Sequence, residues 1–85
     1  MGKRFQTYIK KLRWYRNMSL REVERKTGIS NSYLSQIERG IRGIPTVGYL
    51  KRLADVYDVS LVKIFMVVAA DLENKSVEEI ENKIR

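Results

Sequence analysis

Four short polar side chains, Asn31, Ser32, Ser35 and Gln36, fall within one stretch of six residues. Their hydroxyls and carboxamides can each donate and accept hydrogen bonds without carrying charge. A helix that merely faces solvent more commonly carries Glu and Lys. This set instead suits the edges of base pairs, where donors and acceptors alternate over short distances. Other chemistry has few candidates. The chain has no cysteine and no histidine. That removes disulfides, thiolate metal sites and the usual general base of nucleophilic catalysis. Asp55 and Asp58 resemble a carboxylate pair only by spacing, and a solvated helix end accounts for them. With no glycine-rich phosphate loop either, the expectation is a protein that is not an enzyme and uses no metal or cofactor.

The elements that must position the polar cluster are punctuated clearly. Ser19-Leu20-Arg21-Glu22 has the form of a capping box and opens a short helix that Gly28 ends. Ser30 caps the next helix, which places Leu34 and Ile37 on its core side and closes at Gly40. Val23, Ile29, Leu34 and Ile37 are spaced to lock these two helices together around a short turn. Before them, Phe5, Ile9, Leu12 and Arg16 predict a helix over 5–16, with Trp14 and Tyr15 as a packed or partly exposed aromatic pair. After a loop over 41–45, Thr46 opens a helix with Val47, Leu50, Leu53, Ala54 and Tyr57 on one face. Ser60 opens a fifth, with Leu61, Ile64, Phe65 and Val68. Ser76 and Glu79 form a second capping box, starting a short tail with Val77, Ile80 and Ile84 in a narrow stripe. No segment alternates with the period of a strand. The fold class is all-α, with five helices and a short C-terminal helical tail.

Charge divides the chain. Residues 1–70 hold fourteen Lys and Arg against five Asp and Glu, whereas residues 71–85 hold five acids against three bases. A basic body calls for a polyanionic partner, and the acidic tail for a different task. The division predicted is therefore a binding domain over 1–70 and a dimerisation or partner segment over 71–85. The apolar run at 64–70 is far short of the roughly 20 residues that span a bilayer. A cytoplasmic protein with no membrane partner is expected.

The run Gly28-Ile29-Ser30-Asn31-Ser32-Tyr33-Leu34-Ser35-Gln36-Ile37-Glu38-Arg39-Gly40, followed by Pro45 and the Leu50, Leu53, Ala54 helix, resembles the Cro/CI-type (XRE) helix-turn-helix family. Within that family it is most like the small SinR-type repressors, over roughly residues 5–68. The resemblance implies a lambda-repressor-like domain and a sequence-specific, double-stranded DNA-binding transcriptional regulator, a repressor, reading the major groove with helix 31–39. The alternative is an antitoxin-like DNA-binding module whose tail binds a protein partner. The family's base contacts fall on Asn31, Ser32 and Gln36. Backbone or mixed contacts fall on Leu20, Tyr33, Ser35, Arg39 and Arg42, and a structural ion pair on Arg13 and Glu38.

Two positions depart from the family pattern. Leu20 stands where glutamine is common, leaving its backbone N–H to meet a phosphate. Glu24 stands where alanine is preferred, and is expected to lean outward toward Arg21 or Lys26. The partners expected are double-stranded DNA, a second copy of the chain, and a protein antagonist or co-regulator. For the dimer, Val62, Met66 and Val67 make helix 5 apolar beyond its core face, and Val77, Ile80 and Ile84 extend the surface.

Overall fold

A hydroxyl begins four of the helices in the structure, a computed structural model that describes residues 3–84, with side chains through Glu73. The elements are α1 (Arg4–Tyr15), α2 (Leu20–Thr27), α3 (Asn31–Glu38), α4 (Val47–Val56) and α5 (Leu61–Ile84), with no strand among the described residues. Ser19 Oγ accepts from the Glu22 N–H at 3.1 Å, and the Glu22 carboxylate accepts from the Ser19 N–H at 3.3 Å. Ser30, Thr46 and Ser60 accept likewise from the amides of Tyr33, Tyr49 and Val62. Each hydroxyl satisfies a donor that the first turn of a helix otherwise leaves orphaned.

Four helix ends turn through the left-handed region: Gly28 at φ 78°, Gly40 at φ 73°, and Asn17 and Asp58 both at φ 54°. After three of them the chain bonds back, from Met18 N to Arg13 O, Ile41 N to Gln36 O and Val59 N to Ala54 O. This is the closure that satisfies the last carbonyls of a helix. Asn17 and Asp58 do with a short polar side chain what glycine does without one. Asp58 is thus a helix terminator.

The start of α1 is capped from the far end of the chain. Lys3 gives no side-chain cap. Instead Asp71, only 1% exposed, accepts from the Phe5 N–H at 2.8 Å and the Arg4 N–H at 3.2 Å. A carboxylate at a helix N-terminus meets both the free amides and the positive end of the helix dipole.

All five helices contribute to one core: Phe5, Ile9, Val23, Ile29, Leu34, Ile37, Leu50, Leu53, Ala54, Tyr57 and Ile64. Three expected members lie elsewhere. Val47, the first residue of α4, is 61% exposed, and Phe65 is 39% exposed. The inward line of α5 runs through Ile64, Val68 and Asp71. Phe65, one residue on from Ile64, is swung about 100° away from it. Arg16 is exposed and follows α1 as its cap, where Nε donates to Tyr57 O at 3.0 Å.

The short separate tail is not formed. α5 runs for 24 residues without a break, a length of about 36 Å. Ser76 lies inside it, and a serine can cap a helix only where the preceding backbone is not already helical. The division drawn at residue 71 falls within α5, at the buried Asp71. Val77, Ile80 and Ile84 lie outside the described side chains. Among the described residues, no helix is long and apolar enough to cross a membrane.

Candidate nucleic-acid interface

The turn between α2 and α3 is three residues long, Gly28 to Ser30. Thr27 stiffens it. Its hydroxyl donates to Val23 O at 2.7 Å and accepts from the Ile29 N–H at 3.1 Å. Ile29 then drops into the core at 0% exposure, beside Val23, Leu34 and Ile37. With those four positions buried, α3 has a fixed inner side, and Asn31, Ser32, Ser35 and Gln36 are left on its outer side.

The inner side also holds a charge pair. Arg13 Nε and Nη2 donate to Glu38 Oε2 and Oε1 at 2.7 and 2.9 Å, and Nη1 donates to Met18 O at 2.9 Å. The side chains are 14% and 5% exposed. The hydrogen bond that Arg13 donates to Glu38 raises the Arg13 pKa further above its already high value. The hydroxyl of Tyr57, fully buried and without a hydrogen-bond partner among the described residues, is also pushed well above the usual phenol range. Burial is the main cause, the Glu38 carboxylate pushes the same way, and Arg13 opposes it.

On the outer side, Ser32 is exposed and Asn31, Ser35 and Gln36 are half-buried. Asn31 and Gln36 each have a polar partner. Glu24 takes the backbone N–H and the Nδ2 of Asn31, each at 3.0 Å. It does not lean out toward Arg21 or Lys26, because the last turn of α2 brings it against the unsatisfied amides that open α3. Gln36 Oε1 accepts from Arg42 Nε at 2.6 Å. The Arg42 guanidinium also sits 4.9 Å from the centre of the Tyr33 ring. Tyr33 in turn meets Tyr49 edge to face, with centroids 5.4 Å apart. The residues after α3 are thereby folded back on it. Arg39 is exposed at its end. The Leu20 side chain packs against the core, and its amide opens α2.

Three residues of this cluster were not marked in advance: Glu24 as a partner of Asn31, Tyr49 under Tyr33, and Arg52, which donates to Thr27 O and lies 5.5 Å from the Tyr49 ring. Only Glu24 left a usable signal, an acid one short turn before a helix start. Trp14 and Tyr15 are exposed, with Lys10 over the Trp14 ring and Arg16 over Tyr15.

The electrostatics are one-sided. Between residues 19 and 42 the acids are Glu22, Glu24 and Glu38. All three are engaged, in the Ser19 cap, with Asn31 and with Arg13. The cations Arg21, Arg25, Lys26, Arg39 and Arg42 are exposed, and none is paired to a carboxylate among the described residues. The surface around α2 and α3 is therefore set for a polyanion.

A helix-turn-helix family model matches residues 9–64. The chain belongs to the XRE-type helix-turn-helix family. The transcriptional regulator SinR of Bacillus subtilis is 40% identical over 53 residues, covering 62% of this chain and 48% of SinR. The crystal structure of SinR, described as the master regulator for biofilm formation, in complex with DNA superposes at a TM-score of 0.67. It is 34% identical and covers 72% of this chain and 97% of that one. SinR in complex with SinI gives a TM-score of 0.69 at 28% identity, covering 94% and 78%. This XRE-type chain spans about half the length of the curated SinR that it matches.

Proposed function

We propose that the protein is a sequence-specific, double-stranded DNA-binding transcriptional regulator, a repressor, that lays α3 in the major groove. The observation that carries this reading is the outer side of α3. It offers uncharged donors and acceptors, on a helix pair whose acids are all engaged and whose cations are exposed. Asn31, Ser32 and Gln36 read base edges, while Tyr33, Ser35, Arg39, Arg42 and the Leu20 amide hold the sugar-phosphate backbone. Phosphate contacts set affinity and register, and base contacts set preference.

The same reading makes the protein a two-fold dimer. One helix sees only a few base pairs, and two half-sites lie about 34 Å apart. The surface offered is α5, where Val62, Phe65, Met66 and Leu72 are exposed. Beside it, α1 and α5 enclose an open groove of about 890 Å³ with Val62, Met66 and Val67 in its wall and Lys3, Lys11 and Lys63 among its lining. Val67 contributes less than Met66, being half-buried against the core. A second copy is the partner that fits, because its distal α5 carries the complementary acidic charge together with Val77, Ile80 and Ile84. The complex of SinR with SinI supports a protein antagonist or co-regulator as a further partner.

Selection from a random duplex pool, followed by titration across salt, tests the reading. A two-fold site should emerge, and log affinity should fall by about 0.9 per phosphate contact for each unit of log salt. Unselective, salt-insensitive binding would refute it. Sedimentation should show a wild-type dimer and a monomeric Met66→Glu variant.

A further inference from the structure

Both oxygens of Glu24 are spent on one residue. Oε2 accepts from the Asn31 N–H and Oε1 accepts from Asn31 Nδ2. A carboxylate can only accept, so the amide nitrogen of Asn31 must be the end that faces it. The flipped carboxamide would set Oδ1 against a carboxylate oxygen. The orientation of this amide is thus decided by its partner's chemistry. Among the described residues, Oδ1 itself accepts no hydrogen bond.

We propose that Glu24 is a positioning residue for sequence reading: holding the amide nitrogen of Asn31, it presents Oδ1 to the groove and makes Asn31 select a base with an exocyclic amine. The inference rests on Asn31 being a base-contacting residue. In the major groove, adenine N6 and cytosine N4 donate, whereas guanine O6 and thymine O4 accept. Oδ1 meets the first two with a hydrogen bond and the last two with repulsion. The clasp is in place before DNA arrives, so less side-chain freedom is lost on binding. The positive end of α3 holds the carboxylate where it is, and its charge is consumed there rather than turned on phosphates.

The full chain is titrated against duplexes of the selected site that carry each of the four base pairs at the position relaxed by Asn31→Ala. Glu24→Gln and Glu24→Ala are run alongside, with melting curves. The wild type should prefer adenine or cytosine over guanine or thymine there by roughly tenfold. Glu24→Gln keeps the length of the side chain and can turn its own amide toward Oδ1. It should stay folded and bring that one preference near parity, leaving the other positions unchanged. A cap that served only stability would lower affinity for all four duplexes alike. Retention of the amino-base preference in Glu24→Gln, or a wild-type preference for guanine or thymine, overturns the inference. If Asn31→Ala relaxes no position at all, the base-contact assignment of Asn31 is what has failed, and the role of Glu24 falls with it.

Discussion

On its inner side α3 is fixed by Leu34, Ile37 and a bidentate ion pair at 5% and 14% exposure, whereas on its outer side Asn31 and Gln36 are each held by a partner that water can reach. The inner contacts have no substitute once broken, because a stranded charge in a core cannot recover its hydration. The outer ones each hold one end of a carboxamide, Asn31 Nδ2 and Gln36 Oε1, and leave the other end to meet a ligand. One short helix thus separates contacts that hold the fold from contacts that aim side chains at a partner.

The sharpest way to break this contrast is on the inner side. Glu38→Ala should cost about 3–5 kcal/mol, since it strands the Arg13 guanidinium. The melting temperature should drop steeply, while the molecules still folded keep their base preferences. An unchanged melt would mean that the pair adds nothing to the inner side. Arg13→Met with Glu38→Leu should recover much of the loss, because an apolar pair of similar volume avoids the desolvation penalty.

On the outer side the effect should be smaller and of the other kind. Gln36→Ala should cost on the order of 1–3 kcal/mol on the preferred duplex, little on random DNA, and nothing in the melt. Arg42→Ala should weaken both duplexes. It should also relax the position that Gln36 reads, because it is Arg42 that fixes the Gln36 carboxamide. Binding titrations on paired specific and random duplexes separate the two.

Two further substitutions probe how far the inner side extends. Asp71→Ala removes the cap on α1, and should cost about 0.5–2 kcal/mol in thermal or urea unfolding without touching DNA preference. Tyr57→Phe should be neutral or slightly stabilising, within about 1 kcal/mol, since it deletes a buried hydroxyl that has no partner among the described residues. A marked loss of stability there would show that the hydroxyl is satisfied after all.

What the sequence made legible was what is local. The Ser19–Glu22 box, the Ser30 and Thr46 caps and the Gly28 and Gly40 stops each act within a few residues, and each is found where the chain places it. The apolar spacing likewise led to Ile9, Val23, Leu34, Ile37 and Leu53. The misses are non-local or one step out of phase. Asp71 caps a helix 66 residues away, which no window along the chain can reveal. Phe65 and Ile64 are adjacent, and either could head an apolar face until the packing of α1 and α4 chose Ile64. Glu24 was misplaced because its target, the amide of Asn31, belongs to the next helix. The capping signal at Ser76 was real as a pattern but lost to helix propagation, which adds residues at little cost once a helix is running.

The unbroken course of α5 has a consequence in terms of linkage. One cooperative helix carries Ile64 in the core, Asp71 on the start of α1, and then the distal residues out to Ile84. Any molecule that binds those distal residues only in their helical form draws the whole chain toward the native state by mass action. Binding at the far end of α5 should therefore register as a higher melting temperature of the DNA-reading body, and destabilising that body should weaken binding at the far end to the same extent.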